Sequence, residues 1–295
     1  MVFGFAGLHP RVSFAYFALL LLCCMLFRHP VLLGMTLAAS VLLNVSLDGG
    51  RRLRRSLPAY LLIALLAAVA NPLFSSRGAT ILFYFRDRPV TMEAIAYGGL
   101  SAAALLSLLI AFTAFNLVLD SGRLLRLLAP VAPQTAFAVT VSMRFVPLLT
   151  RRLGQIRAVQ RAMGDLPERM GRRRYLREGM ETLHALVAWS LEEALQTALS
   201  MRARGYGIGP RSSADASRLD GRDWAFLWAL LLLGSNILIG RATGVHAYEV
   251  YPRLDPLQET PLGWVHLGCY LLFLALPILM NGKERLHWRL IRSKM

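Results

Sequence analysis

Long apolar segments alternate with short basic segments over most of this chain. Several apolar runs approach or exceed the ~20 residues that a helix needs to cross a bilayer. The six candidate spans are Val12 to Phe27, Val31 to Leu47, Leu57 to Phe74, Ala94 to Leu119, Trp224 to Gly240 and Leu262 to Met280. The first run is the shortest, so six spans are expected and five are possible. The pattern predicts an all-α integral membrane protein.

The pattern changes between the fourth and fifth spans. Residues 120–223 carry 17 arginines against ten acidic residues, and Pro130, Pro133, Pro147 and Pro167 divide them. Apolar positions there predict two long helices, from about Gln134 to Met163 and from about Glu178 to Arg204. We expect Pro147 to bend the first helix because proline removes a backbone donor. The expected domains are residues 1–119, a partly membrane-associated module at 120–223, and residues 224–295.

The second long helix carries one apolar stripe and a defined end. Its stripe consists of Leu183, Val187, Leu191, Ala194, Ala198 and Met201, which recur at intervals of three and four residues. Gly205 and Gly207 follow and predict the carboxyl-terminal stop of the helix. Residues 210–223 are rich in Ser, Arg and Asp and are expected to form a linker back to the membrane.

Three features of the first membrane region predict local structure. The arginines at 51, 52, 54 and 55 predict a tight inner turn between spans two and three. The β-prone run from Thr80 to Phe85, within the outer segment 75–93, predicts a hairpin or a shallow interfacial element. Span four is rich in small residues around Gly98, which predicts close packing against another helix, either of this chain or of a membrane partner.

Composition and charge agree with a membrane location. The chain has 295 residues, 56% hydrophobic content, a mean hydropathy of +0.48 and a net charge of +16. With the amino terminus inside, 27 of its Lys and Arg residues lie on the inner side and 6 on the outer side. Without the central block the ratio is 10 to 6. We therefore expect a multi-pass cell-membrane protein with a cytoplasmic amino terminus and a cytoplasmic central module, and no nucleic-acid partner, because aromatic residues are sparse in the basic stretches.

Within residues 120–223, a four-residue pattern, R-A-x-G, occurs twice, 41 residues apart. The first copy is Arg161, Ala162, Met163 and Gly164, and the second copy is Arg202, Ala203, Arg204 and Gly205. At a single helix end, arginine followed by glycine only offsets the helix dipole and ends the helix. The repetition, the small alanines and the fork of Arg204 favour a second interpretation, in which both helix tips dock onto a paired partner.

These residues carry a resemblance to a known family. The stretch LHALVAWSLEEALQTALSMRARGYGI, from Leu183 to Ile208, resembles the second coupling helix of the transmembrane T component of energy-coupling factor (ECF) transporters, the CbiQ/EcfT-type family. The stretch RFVPLLTRRLGQIRAVQRAMG, from Arg144 to Gly164, resembles the first coupling helix. Further similarity lies at residues 8–11, 71–74 and 89–100, so the resemblance covers most of the chain.

The resemblance implies a non-catalytic scaffold subunit without cofactors. Its two coupling helices would dock into two ATP-binding cassette (ABC) ATPases, and it would embrace a separate substrate-binding membrane subunit that imports a vitamin or a transition-metal ion. By position, Ala203, Arg204 and Gly205 form the second docking triplet. In the first triplet Met163 replaces the arginine, which predicts that the two ATPases are contacted unequally.

Other classes find less support in the sequence. Ser107, His246, Asp255 and His266 have side chains that hydrolases use, but they form no nucleophile motif. His184 has no histidine or cysteine nearby, the three cysteines lie in apolar spans, and no phosphate-binding glycine loop is present. The permease subunit of a conventional ABC importer remains the alternative, since Glu192-Glu193-Ala194 is faintly similar to its Glu-Ala-rich loop. A passive structural protein would not depend on Arg204.

Overall fold

The computed structural model describes residues 4–74, 78, 80–85, 88–163, 172–209, 219–245, 248 and 261–292. These residues form long helices with one small antiparallel hairpin. A single 3-10 turn at Phe5–Gly7 precedes the first helix. The elements are α1 Pro10–Leu26, α2 Pro30–Asp48, α3 Arg51–Phe74, β1 Ile81–Phe85, β2 Arg88–Thr91, α4 Met92–Val118, α5 Ser121–Leu128, α6 Pro133–Ala162, α7 Arg172–Ala203, α8 Gly221–Ala242 and α9 Pro261–Arg292.

Five of these helices are long and apolar enough to cross a membrane. They are α2, α3, α4, α8 and the part of α9 from Pro261 to Lys283. Helix α1 is apolar but has only 17 residues, a length of ~25 Å at 1.5 Å per residue. The prediction of an all-α membrane protein with five or six spans is confirmed, and the uncertain segment is the first one, as its length indicated.

Helix boundaries follow local capping chemistry, which corrects two expectations. The arginines at 51, 52, 54 and 55 lie in the first turns of α3, because the turn itself needs only Gly49 and Gly50, both with positive φ. Helix α8 begins at Gly221, earlier than expected, because Asp220 and Asp223 form a capping box at its amino end.

The central region brings two further corrections. Helix α7 begins at Arg172, six residues before the expected start, because arginine and leucine are good helix formers and no proline follows Pro167 in this stretch. The short helix α5, which the sequence analysis missed, begins where Asp120 Oδ1 accepts the backbone N–H of Arg123 at 3.0 Å. Helix α6 continues through Pro147.

The hairpin between α3 and α4 confirms the strand prediction. Strands β1 and β2 pair antiparallel, with Tyr84 opposite Pro89 and Phe85 opposite Arg88. Glu93, in the first turn of α4, is 2% exposed and accepts hydrogen bonds from the Thr80 backbone N–H and hydroxyl. The hairpin is therefore fixed to the start of α4.

The small residues of span four pack against a helix of this same chain. A Cβ atom at Gly98 would lie 2.5 Å from the backbone oxygen of Ala68 on α3, so only glycine permits this approach of α4 to α3. The sequence left open whether this face packs against a helix of this chain or of a membrane partner. The structure identifies α3 of the same chain as the partner.

The core of the membrane region is an aromatic cluster. The Phe5, Tyr16, Phe17, Phe226 and Phe273 rings come from the amino-terminal turn and from α1, α8 and α9, and all but Phe226 are at most 1% exposed. Tyr16 lies 5.1 Å from Phe273 and 5.3 Å from Phe5, measured between ring centroids. Edge-on and tilted aromatic packing of this kind joins elements that are distant in sequence.

Buried polar side chains attach the amino-terminal segment to the same core. The backbone N–H of Phe5 donates to Asn281 Oδ1 at 2.8 Å, and that of His9 donates to Asp223 Oδ1 at 3.1 Å. Residue contacts divide the chain into two compact units, one of Met1–Leu124 with Arg218–Met295 and the other of Leu125–Ser217. The first, the membrane unit, contains the aromatic core, and the second, the coupling unit, contains α6 and α7.

Candidate docking surface

Helices α6 and α7 lie antiparallel within the coupling unit. As residue numbers rise along α6, the numbers of their partners fall along α7. The contacts are Phe137 with Tyr206, stacked at 5.1 Å between centroids, the Arg152 guanidinium 5.5 Å from the Trp189 ring centroid, and Gln160 Nε2 donating to Thr182 Oγ1 at 2.9 Å. The pairing is thus maintained over most of both helices.

This arrangement separates the two predicted docking tips. The end of α6 lies beside the first third of α7, and the end of α7 lies beside the second turn of α6. Along α6, the two levels lie at Phe137 and Gln160, 23 residues apart, which corresponds to roughly 35 Å at 1.5 Å per residue. Two tips at this separation present two distinct surfaces.

The tip of α7 ends in a closed backbone turn. Gly205 has φ +79°, a left-handed conformation that favours glycine. Its N–H donates to the Arg202 carbonyl at 3.0 Å, and the Tyr206 N–H donates to the Met201 carbonyl at 3.0 Å. This pair of bonds is the Schellman motif, which satisfies carbonyls that a helix end otherwise leaves free. The predicted stop at Gly205 is confirmed.

The arginines of this tip face outward. Arg202 and Arg204 are both exposed, and neither guanidinium has an ion pair within the part of the chain that the structure describes. Ala203 between them is exposed and small, and Ile208, just beyond the turn, is 87% exposed. The tip therefore offers two cations and an apolar side chain on a backbone turn that is held in place.

The tip of α6 differs in chemistry and in its cap. Met163 is 77% exposed, has right-handed helical dihedrals, and donates its N–H to the Val159 carbonyl at 3.0 Å. Arg161 and Ala162 precede it and are exposed. Gly164, the last residue of the first motif, lies outside the described residues. The described part of this tip therefore presents one flexible apolar side chain, Met163, close to one arginine, Arg161.

The apolar stripe of α7 is exposed. Leu183, Val187 and Leu191 are each about half exposed or more, whereas Thr182 and Trp189, which contact α6, lie on a different face. Neighbouring exposed positions extend the stripe along the helix at Leu176, Met180, Leu195 and Leu199. An exposed apolar face of this length is expected to contact either the bilayer or another protein.

Other candidate side chains have separate environments. His184 is exposed on α7. The Ser107 hydroxyl donates to the Ala103 carbonyl within α4, and His266 Nδ1 shares a hydrogen bond with Asn236 at 2.7 Å. His246 and Asp255 lie outside the described residues. Within the described residues, no group of three or more His, Cys, Asp or Glu side chains could hold a metal ion. Cys23, Cys24 and Cys269 are free thiols.

The sequence analysis did not find the contacts that hold the coupling unit together. The rings of Phe137 and Tyr206 are 69 residues apart, and Arg152 lies 37 residues from Trp189. The signal that could have been used is the aromatic residue directly after the second motif, Tyr206. Pairing between helices separated by a polar segment depends on how that segment folds back, which helix periodicity does not encode.

Comparison with known proteins identifies a family. A family model described as "CbiQ: Cobalt transport protein" matches residues 5–213, which include the membrane helices α1 to α4 and both tips of the coupling unit. No curated protein matches the chain. The matched region covers more than two thirds of the chain, and it confirms the family prediction made from the sequence.

Proposed function

The chain belongs to the CbiQ cobalt transport protein family, which implies a membrane component of cobalt transport, and from that membership we propose a specific role. It is the non-catalytic scaffold and coupling subunit of an ECF-type ABC importer. It transmits the ATP-driven motion of two ABC ATPases to a substrate-binding membrane subunit, for uptake of a transition-metal ion, with a vitamin as the other cargo class. The amino terminus and the coupling unit are cytoplasmic in this proposal.

The separation of the tips is the observation that carries the proposal. A single groove on one partner could not receive ends that lie roughly 35 Å apart on an antiparallel pair of helices. Two ATPase copies, each with one groove, would accept one tip each. The exposed arginines of the second tip, which form no ion pair among the described residues, and the exposed Met163 provide the contacts.

Arg204 is proposed as the principal anchor. Its guanidinium can bind a carboxylate of the ATPase groove in a bidentate manner, which lysine cannot reproduce. Ala203 lets the helix end approach closely, and the Schellman turn at Gly205 fixes the direction in which Arg204 leaves the helix. The α6 tip is proposed to dock chiefly by packing of Met163, since thioether side chains fit irregular apolar grooves.

Motion at the second tip has a direct route into α6. Tyr206 immediately follows the docking triplet, and its ring stacks on Phe137 at an interplanar angle of 27°. When the ATPases close, displacement of Arg204 would move Tyr206 and with it the first turns of α6. The exposed stripe of α7 would meanwhile face the substrate-binding subunit or the bilayer surface.

Copurification with candidate partners tests the proposal. The full chain is expressed with the ATPases and the small membrane proteins encoded beside it, and is isolated through a tag on the chain. We expect two ATPase copies and one hydrophobic substrate-binding subunit per chain. Arg204→Ala should reduce ATPase recovery more than tenfold, since truncating one partner of a buried charged pair costs about 2–5 kcal/mol.

Arg151→Ala provides the control, because Arg151 is an exposed arginine near the middle of α6, away from both tips. It should leave ATPase recovery within twofold of the unmodified chain. Recovery of a soluble binding protein in place of a membrane subunit would favour the conventional ABC permease instead. Equal recovery with Arg204→Ala and Arg151→Ala would contradict docking through the tip.

A further inference from the structure

An apolar groove of about 440 Å³ lies between α1 and α8 in the membrane unit. Its walls are formed by Ala15 and Leu19 of α1 and by Trp224, Leu227, Trp228, Leu230 and Leu231 of α8. Every lining residue is apolar or aromatic, and the volume lies within the range of small-molecule sites. All of these lining residues belong to the membrane unit.

Two contacts between α1 and α8 mark the ends of the groove, which are called here its closed end and its mouth. At the closed end, α8 approaches α1 so closely that a Cβ at Gly234 would lie 2.9 Å from Leu19 Cδ2. At the mouth, the two helices begin side by side, where the His9 N–H donates to Asp223 Oδ1. The helices run in the same direction from that level, so the groove extends from the helix starts toward the middle of the membrane unit.

An arginine stands at the mouth on the same helix face as the lining. Arg11, Ala15 and Leu19 are spaced by four residues and therefore share one face of α1. Arg11 is exposed, and its guanidinium has no ion pair among the described residues. From Arg11 to Leu19 the helix rises ~12 Å, a distance comparable to a large part of an acyl chain.

Arg11, Trp224 and Trp228 lie near the starts of their helices, where a membrane-spanning helix meets the bilayer interface. Helix α1 measures ~25 Å, slightly less than the ~30 Å hydrocarbon core, so Arg11 at its start reaches the headgroup layer. Trp224 and Trp228 lie near the start of α8 and are more than half exposed, as is typical of tryptophans at a membrane interface.

We propose that this groove binds one anionic phospholipid, with an acyl chain along the apolar wall of α1 and α8 and the phosphate on Arg11. The positive charge of Arg11 favours an anionic lipid over a neutral occupant of the groove. A neutral apolar helix of another protein would fill the walls and leave Arg11 without a counter-charge at the mouth, whereas an anionic lipid satisfies both parts of the site at once.

Native mass spectrometry of the full chain in detergent tests the proposal. The probes are phosphatidylglycerol and phosphatidylcholine with identical acyl chains, added separately. We expect one tightly retained phosphatidylglycerol and about fivefold weaker retention of phosphatidylcholine, as for one additional charge contact near the surface. Arg11→Gln should abolish the preference and leave phosphatidylcholine retention unchanged, whereas Arg55→Gln, at an exposed position in α3, should leave the preference intact.

A second pair of variants tests the apolar wall. Leu231→Trp fills the groove, whereas Leu232→Trp places the same side chain at an equally exposed position that does not line it. Leu231→Trp should weaken retention of both lipids about tenfold, and Leu232→Trp should leave both unchanged. Leu231 and Leu232 are both exposed on α8. The two variants should therefore fold similarly, which thermal unfolding checks.

Three outcomes would overturn the proposal. The first is equal retention of the two lipids by the unmodified chain, and the second is equal effects of Arg11→Gln and Arg55→Gln. The third is a groove occupied by protein. For that case Leu231→Cys is labelled with a thiol reagent in the assembled complex, and protection by a partner subunit in the absence of any retained lipid would identify the groove as a protein interface.

Discussion

The two units of this chain differ in what stabilises them. The membrane unit buries an aromatic cluster with contributions from four elements, whereas in the described part of α6 and α7 only Ala136 is buried. The coupling unit is held by a stack, a cation–π contact and a side-chain hydrogen bond, and it leaves its apolar stripe exposed. One unit is therefore stabilised by a buried core, while the other leaves nearly all of the described side chains of α6 and α7 at least partly exposed.

Removal of an aromatic ring from the membrane core should have the largest effect on stability. Phe273 is fully buried against Tyr16, so Phe273→Ala leaves a cavity and should lower the free energy of unfolding by about 3 kcal/mol or more. Thermal unfolding in detergent measures this. Phe14→Ala, at an exposed position of α1, is the control and should cost less than about 1 kcal/mol. Similar losses for both would mean that the cluster does not dominate stability.

Next in size is the difference between the two tips in ATPase docking. Arg204→Ala removes a charged anchor and should weaken ATPase binding by more than tenfold, whereas Met163→Ala removes packing and should weaken it only severalfold. Neither change should alter unfolding, because both side chains are exposed. Titration of purified ATPase onto the chain in nanodiscs measures both affinities. Equal losses would contradict the proposed asymmetry.

Two glycines of the α7 region should respond in opposite directions to alanine. Gly205 has φ +79°, so Gly205→Ala strains the Schellman turn by about 1–2 kcal/mol and should weaken docking of the second tip. Gly179 lies inside the helix, and a Cβ atom added there would meet nothing within 4 Å, so Gly179→Ala should stabilise α7 by about 1 kcal/mol. Hydrogen exchange at the end of α7 distinguishes the two; a slower exchange in Gly205→Ala would contradict the role of the turn.

The smallest expected effect lies at the aromatic stack. Tyr206→Leu removes the stacking on Phe137, worth about 0.5–1.5 kcal/mol, whereas Tyr206→Phe retains it. With ATPase binding near normal, Tyr206→Leu should reduce transport per ATP hydrolysed, and Tyr206→Phe should not. Transport and hydrolysis are measured together in proteoliposomes. Unchanged coupling in both variants would exclude this route for motion.

Local chemistry made much of this protein predictable. The apolar runs gave the membrane helices, the β-prone run before Glu93 gave the hairpin, and Gly205 gave the end of α7, because each depends on residues close in sequence. Helix starts were less predictable. The start of α7 at Arg172 was missed. The helix was expected only from about Glu178 because residues 172–177 are rich in arginine and read as a polar connection, although arginine favours the helix.

By itself, the sequence determined which segments enter the membrane, where the basic residues lie and which residues form the two tips, since these properties follow from hydrophobicity, charge and capping along the chain. Only the tertiary structure decided that α6 and α7 run antiparallel with their tips far apart, that Gly98 packs on α3, and that α1 and α8 enclose an apolar groove. The physical reason is that such contacts join residues tens to hundreds of positions apart. Their geometry depends on how side chains pack between helices, and no single helix contains that information.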